Sequence, residues 1–469
     1  MSRQWSRRAV FGVLALGGAA AAAACRQVAP SGPEESTRER TIGFTVHDRR
    51  FGDDRRGQIA GYASATSVAP GETLDFHVSV SPAADYRIEV YRVGHYGGRG
   101  ERLLAASPWL AGRTQAEPSV DPKTRMVRCA WERGWRLRVG PDWVSGFYLA
   151  LLTNADGWCR WVPFVVRDTR PAAGLVIVPT STYQAYNMWP HDGRLGASLY
   201  YGFDATGEPV ATLRSRSVSH DRPYQDDGLP ALAEHDMGFV RWAEEHGADL
   251  GYATSEDLDS GRVDPGRHRA VIFCGHDEYW TTAMRRAVAT ARDHGTSLVF
   301  LSANNCYWRV RYGTPDRRTV NCTKVNPRPG KPVPLMTRWR AAGSPEQELI
   351  GAQYVSVIDG RAPLVVRDSR HWFWAGTGVR DGDAIPNVVS GEADQRMPDV
   401  RLPTSTEDVT LARSPYQRKG VRHEQHTTLY RAPSGAWVFA AGSLGWTAAL
   451  PTDARIQRAT RNLLDRVLE

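Results

Sequence analysis

Two hydrophobic periods divide the chain. Between residues 42 and 168, short runs alternate apolar with polar positions, as in Leu74-Asp75-Phe76-His77-Val78-Ser79-Val80, Tyr86-Arg87-Ile88-Glu89-Val90-Tyr91-Arg92-Val93 and Gly146-Phe147-Tyr148-Leu149-Ala150-Leu151-Leu152. A period of two marks strands with one face buried. Pro70-Gly71, Gly97-Gly98 and Asn154-Ala155-Asp156-Gly157 punctuate them as turns. No helical period occurs in this region, so it predicts an N-terminal Ig-like β-sandwich.

From residue 172 to 469 the period changes. Leu175-Val176-Ile177-Val178, Val271-Ile272-Phe273-Cys274, Leu298-Val299-Phe300-Leu301 and Trp437-Val438-Phe439-Ala440 are unbroken apolar runs, the mark of strands buried on both faces. Helical spacing appears between them. Leu232, Phe239, Val240 and Ala243 share one face; Met284, Ala287, Val288 and Ala291 follow a capping Thr281 or Thr282; Ile456, Leu463, Leu464 and Val467 form a last helix. Strands alternating with helices predict a mainly parallel α/β sheet domain of the class I glutamine-amidotransferase or flavodoxin type. Residues 312–428 are rich in Pro, Arg and Gly with few periodic segments, and are expected to be an insertion serving as a lid or an assembly surface.

The first 25 residues change the picture of where the protein works. Ser6-Arg7-Arg8-Ala9-Val10-Phe11, an apolar stretch and then Cys25 match a twin-arginine export leader ending in a lipid-attachment cysteine. Residues 26–41, rich in Pro, Ser, Glu and Arg, read as a flexible tether. The expected protein is therefore extracytoplasmic, touching a membrane only through a lipid on Cys25. The formal charge is +8, but Arg3, Arg7 and Arg8 belong to the leader, and no basic tract follows; nucleic acid is not an expected partner. Five further cysteines would meet an oxidising compartment, where the sequence-near pairs are Cys306 with Cys322 and Cys129 with Cys159, leaving Cys274 odd.

Three predicted strands end in polar clusters. Residues 175–178 lead to Tyr183, Tyr186 and Asn187; residues 269–274 lead to His276, Asp277 and Glu278; residues 297–302 lead to Asn304 and Asn305. In a parallel sheet these carboxyl ends share an edge, where ligands bind. There, Glu278 would be a general base or a hard oxygen ligand, with His276 sharing its proton or metal. The alternative is a hydrogen-bonded turn capping the next helix. Cys274 before a helix suits a nucleophile, but as the end of an apolar run it is better read as a core thiol. His423-Glu424-Gln425-His426 lacks the helical setting of a zinc signature, so Glu424 and His426 stay as second-layer or substrate-contacting candidates. Tyr224 reads as a loop aromatic.

Together, Tyr183-Gln184-Ala185-Tyr186-Asn187-Met188-Trp189, Ser198-Leu199-Tyr200, Asp221-Arg222-Pro223-Tyr224, Gly275-His276-Asp277-Glu278-Tyr279-Trp280 and Ser302-Ala303-Asn304-Asn305-Cys306-Tyr307-Trp308-Arg309-Val310-Arg311 resemble the large (beta) subunit of N,N-dimethylformamidase and its C-terminal-domain relatives. The likeness runs, with gaps, from about residue 61 to the end. It implies amide hydrolysis at a mononuclear ferric iron, Fe(III), with Glu278, Tyr186 and Tyr224 as metal ligands and Tyr183 as a competitor for one place. The resemblance further implies that His276 and Asn304 are nearby catalytic groups and that a small amide is the substrate; Glu424, from its own position in the sequence, stays a catalytic or substrate-contacting candidate. A small partner subunit and a homo-oligomer stay open. The rival expectation is an exported surface-binding protein with a degenerate, non-catalytic site.

Overall fold

Residues 50–166 build two facing sheets. Strands Arg50–Phe51, Trp158–Val166, Gly146–Asn154, Tyr86–Val93 and Glu101–Ala106 line up in the larger one, with Ser67–Val68 paired to Trp158–Val166; Ala60–Ala63, Thr73–Ser79 and Arg133–Arg138 form the smaller. Phe76, Val78, Ile88, Val90, Leu152 and Phe164 fill the space between them. In Tyr86–Val93 the even positions are buried as the period of two requires. Gly146–Asn154 departs from that rule: Tyr148, Ala150 and Leu152 point into the sandwich, whereas Phe147, Leu149 and Leu151 join the core of the following region. This strand is covered on both faces, hence its nearly unbroken apolar sequence. The protein is thus a mixed α/β structure with many sheets, none closed into a barrel. The coordinates are a computed structural model describing residues 49–167, 170–313, 315–327, 331 and 333–469; the leader, Cys25 and the tether lie outside these.

The second region begins with β1 (Gly174–Val178) and α1 (Thr180–Tyr186), continues through α2 (Ala233–Glu245), β2 (Leu250–Thr254), α3 (Ser255–Ser260), β3 (Ala270–Phe273), α4 (Thr282–Asp293) and β4 (Ser297–Phe300), and ends in β5 (Trp437–Ala440) and α5 (Ala454–Leu468). The five strands are parallel in the order β2-β1-β3-β4-β5, and Val421–Arg431 and Glu407–Arg418 extend the sheet antiparallel beyond β5. The order reverses between β1 and β3, which opens a crevice at their carboxyl ends. Helix α4 starts where expected: the Thr281 hydroxyl accepts the Met284 N–H at 3.1 Å, and Met284, Val288 and Ala291 are buried.

Residues 312–428 hold more regular structure than their sequence shows. Gln353–Val365 pairs with Ala384–Gln395, and Glu407–Arg418 with Val421–Arg431. Register shifts at Tyr354/Ser356, Val357/Arg361, Ala362/Leu364 and Thr410/Ala412 break the period of two, which hides these strands from a pattern search. The expected disulfides do not form. All five described cysteines are free and buried. Cys129 and Cys159 lie in separate cores, and Cys306 faces the Arg285 guanidinium. Among the described residues no helix is long and apolar enough to cross a membrane.

One buried carboxylate ties the two regions together. Glu256 in α3 accepts from Thr66 of the sandwich at 2.7 Å, Thr180 of α1 at 2.5 Å and Tyr312 at 2.8 Å, and lies 2.9 Å from His220 Nε2. Burial opposes its charge, but His220 and the hydroxyls overcome that and hold its pKa well below the usual carboxylate range. A carboxylate so depressed stabilises the fold above its unfolded value near ~4.3, and that contribution fades as pH falls below it. Glu256→Gln should therefore cost about 3 kcal/mol at pH 7. The difference from the parent, measured by urea unfolding, should shrink steadily below about pH 4.

Candidate active site

Strand β3 is wholly buried and delivers its last residues to the crevice. Gly275 is required in the turn because a Cβ there would lie 2.2 Å from Asp236 Oδ2. Asp236 of α2 in turn accepts from Tyr183 at 2.6 Å and from the Cys274 thiol at 3.4 Å. Burial, together with the Asp236 charge, pushes the Cys274 pKa far up, so the thiol keeps its proton and serves the core. Burial likewise raises Asp236 to about 7. The turn is clamped to the loop after β4: the Asp277 carbonyl accepts the Cys306 N–H, and the Glu278 carbonyl those of Tyr307 and Trp308.

Three oxygens meet beyond this turn. Tyr186 and Tyr200 each place their hydroxyl 2.7 Å from Glu278 Oε2, and the two hydroxyls are 2.8 Å apart. Their rings stack with centroids 4.5 Å apart. Two phenols bring two protons to three short contacts, so one side of the triangle has none. Burial and the adjacent Glu278 charge push the Tyr200 pKa far up; without a cation, this phenol stays protonated. The Glu278 carboxyl is opposed by burial, yet His276, Lys324 and Tyr200 keep its pKa below the ordinary value.

His276 flanks the triangle. Its Nδ1 donates to the Ala303 carbonyl at 3.1 Å, which leaves Nε2 facing Tyr186 Oη at 3.3 Å, Glu278 Oε2 at 3.5 Å and Glu392 Oε2 at 3.7 Å. Burial works against a charged ring, but Glu392 and Glu278 outweigh it and hold the pKa up at about 9. Glu392 itself is raised to about 8 by burial and by the Glu278 charge. Asn304 sits at φ +57°, its N–H bonded to Asp394 Oδ1 at 2.8 Å. The Asn304 amide lies within reach of the Glu392 carboxyl and steadies its charge, while no tighter hydrogen bond satisfies either side chain among the described residues. Buried polar atoms left this way around a crevice mark where a ligand or water belongs. The Lys324 ammonium lies 3.3 Å above the Tyr200 ring centroid, and burial lowers its pKa to about 8 against the pull of Glu278.

Of the residues expected from sequence, Tyr186, His276 and Glu278 meet directly, and Asn304 stands behind them. Tyr224 does not join them. Its ring packs edge-on against Tyr183, 6.5 Å away, and Tyr200 occupies the place beside Glu278. Tyr183 is tied to Asp236 on the far side of the turn. Glu424 is also elsewhere: it lies on Val421–Arg431, paired with Arg413 at 2.6 Å and partly exposed. His423 stacks on Tyr416 there, while burial and Arg413 push His426 down to about 4. The carboxylate beside His276 is instead Glu392, on the bulged strand Ala384–Gln395. Sequence reading gave no role to Tyr200, Glu392 or Lys324. Tyr200 stood in a quoted motif, and Glu392 is an acid set among the small residues Ser390-Gly391 and Ala393, a sign of a buried carboxylate. Lys324 carried no signal beyond the rarity of lysine.

Among the described residues no group of three or more His, Cys, Asp and Glu could hold a metal ion. A metal here would depend on the phenols, and the proton-poor oxygen triangle fits a hard, highly charged cation that turns phenols into phenolates. The class defined so far is a mixed α/β protein with a buried carboxylate, two phenols and an imidazole at the switch point of its parallel sheet. A family model described as N,N-dimethylformamidase beta subunit-like, C-terminal, matches residues 87–460, and the chain belongs to that family. No curated protein matches it.

The Gly275 contact is testable. Gly275→Ala should destabilise by about 1–3 kcal/mol through overpacking. Pairing it with Asp236→Ala should recover part of that loss in thermal unfolding, because the second change removes the group the new methyl strikes.

Proposed function

We propose that the protein is an iron-dependent hydrolase of small amides. The observation that carries this reading is the triangle of Tyr186, Tyr200 and Glu278 oxygens, with the His276 Nε2 3.5 Å from Glu278 Oε2 beside it. These three residues would hold a ferric ion, which when bound supplies Lewis acidity toward an amide carbonyl or a water. The residues around them account for the rest of the reaction. With Nδ1 fixed on the Ala303 carbonyl, His276 exchanges protons only through Nε2 and can hand one to the departing amine. Glu392 faces that nitrogen at 3.7 Å and helps to orient the ring. The Asn304 amide, beside Glu392 and set by its left-handed backbone, is a donor for the developing oxyanion. Lys324 adds positive charge behind Tyr200, and the aromatic wall of Tyr279 and Trp308 around its ammonium limits water.

At the level of fold, we take the first region as an Ig-like sandwich and the second as a flavodoxin-like or class I glutamine-amidotransferase sheet, a reading supported by the β2-β1-β3-β4-β5 order. We also take the chain as exported, on the strength of the twin-arginine pattern and Cys25. The beta subunit-like description of the family makes a small partner subunit part of the proposal.

Protein purified after native export should carry about one iron per chain and absorb in the visible range through tyrosinate-to-iron charge transfer. Glu278→Ala should lose the metal, Tyr186→Phe and Tyr200→Phe should weaken or shift the band, and Tyr224→Phe should leave it unchanged. Release of amine from small formamides, followed across a panel, checks the reaction. A colourless protein inert toward every amide would instead support the surface-binding alternative.

A further inference from the structure

Between Asp316 and Glu346 the chain holds seven basic residues, singly or in pairs, and no acid. Arg317, Arg318 and Arg340 are neutralised by Asp259, Asp221 and Glu346. Lys331 and Arg338, with Arg309 and Arg311 on the strand Trp308–Tyr312, meet no carboxylate among the described residues. In that strand Trp308, Val310 and Tyr312 are buried, so Arg309 and Arg311 share the outward face. Residues 333–340 lie across it. The Arg309 guanidinium donates to the Leu335 and Pro334 carbonyls at 2.6 and 2.9 Å, its backbone N–H to the Thr337 carbonyl at 2.8 Å, and Arg338 to Asn326 Oδ1 at 3.3 Å. Val325, Val333 and Leu335 stand beside these cations, 41, 49 and 55% exposed, three of the eight large apolar side chains left in solvent among the described residues.

Uncompensated cations and exposed aliphatic side chains on one face fit the boundary of an anionic bilayer, where the former meet headgroup phosphates and the latter leave water. A protein partner would instead want an aromatic, charge-poor centre, and the aromatic rings here are covered: Trp308 and Trp339 are buried, Trp339 beneath Arg285 and Arg309. We propose that this face docks on a membrane surface rich in anionic phospholipid, a second contact besides the lipid expected on Cys25. The 23 residues from 26 to 48 can span at most ~80 Å, enough for a chain anchored at Cys25 to lay this face on the same bilayer. The inference goes beyond the reading of the Glu278 cluster and does not rest on it.

Co-sedimentation with vesicles tests this on the full chain carrying Cys25→Ser, which takes no lipid, and needs neither iron nor turnover. Phosphatidylcholine vesicles containing phosphatidylglycerol should carry the protein down, pure phosphatidylcholine should bind it about tenfold more weakly, and high salt should release it. Arg311→Glu should weaken binding to the anionic vesicles by about tenfold, and Leu335→Ser by about fivefold. Leu103→Ser, equally exposed but on the sandwich, should leave binding unchanged, and thermal unfolding of each variant checks that it is folded. Equal binding to both kinds of vesicle overturns the proposal, as does binding that Arg311→Glu and Leu335→Ser both retain, which would place the contact in the leader. A protein that ignores anionic vesicles, as it would if this face received an acidic protein, overturns it as well.

Discussion

The site depends on keeping one carboxylate charged where water cannot reach it. Glu278 is 1% exposed, and removing a carboxylate from water costs several kcal/mol unless other groups replace its hydration. Two phenols, an imidazole and an ammonium do so here, and each arrives on a different piece of chain: α1, the segment around Tyr200, the turn after β3 and the loop carrying Lys324. No piece can shift alone without leaving a charge uncompensated. The backbone enforces the same condition, since the Thr182 hydroxyl of α1 accepts the Glu278 N–H at 3.0 Å and Ser181 donates to the Tyr279 carbonyl at 2.7 Å.

This arrangement explains why the sandwich is more than an appendage. Glu256 links Thr66 to Thr180, the first residue of α1, and α1 carries Tyr186 at its other end. Arg92 of the sandwich pairs with Glu244 of α2, the helix whose Asp236 packs on Gly275. The contacts between the two regions thus bear on both sides of the crevice rather than on a remote surface.

Much of the frame was legible because its signals are local. Unbroken apolar runs located β1, β3, β4 and β5, the Thr281 cap located α4, and parallel strands send their carboxyl ends to one edge. That reasoning sufficed to bring Tyr186, His276 and Glu278 to one place. It failed where partners come from irregular backbone. Tyr200 lies in a loop with no periodic neighbour, Glu392 on a strand whose bulges erase the alternation, and Lys324 in a segment without regular structure. Tyr224 was misplaced because sequence spacing cannot say which of two nearby aromatics turns toward the crevice and which toward the sandwich. Glu424 was misplaced because its strand extends the sheet well past the crevice, so its side chain pairs with Arg413 in solvent.

The position of β5 has a consequence for how the molecule assembles. It lies directly against β4, yet the chain between them includes both long hairpins. The sheet edge at β4 therefore stays open until nearly all of the polypeptide has been made, and Glu392 reaches His276 only within that same late stretch. Closing so distant a pair is slow and exposes a bare hydrophobic edge in the meantime.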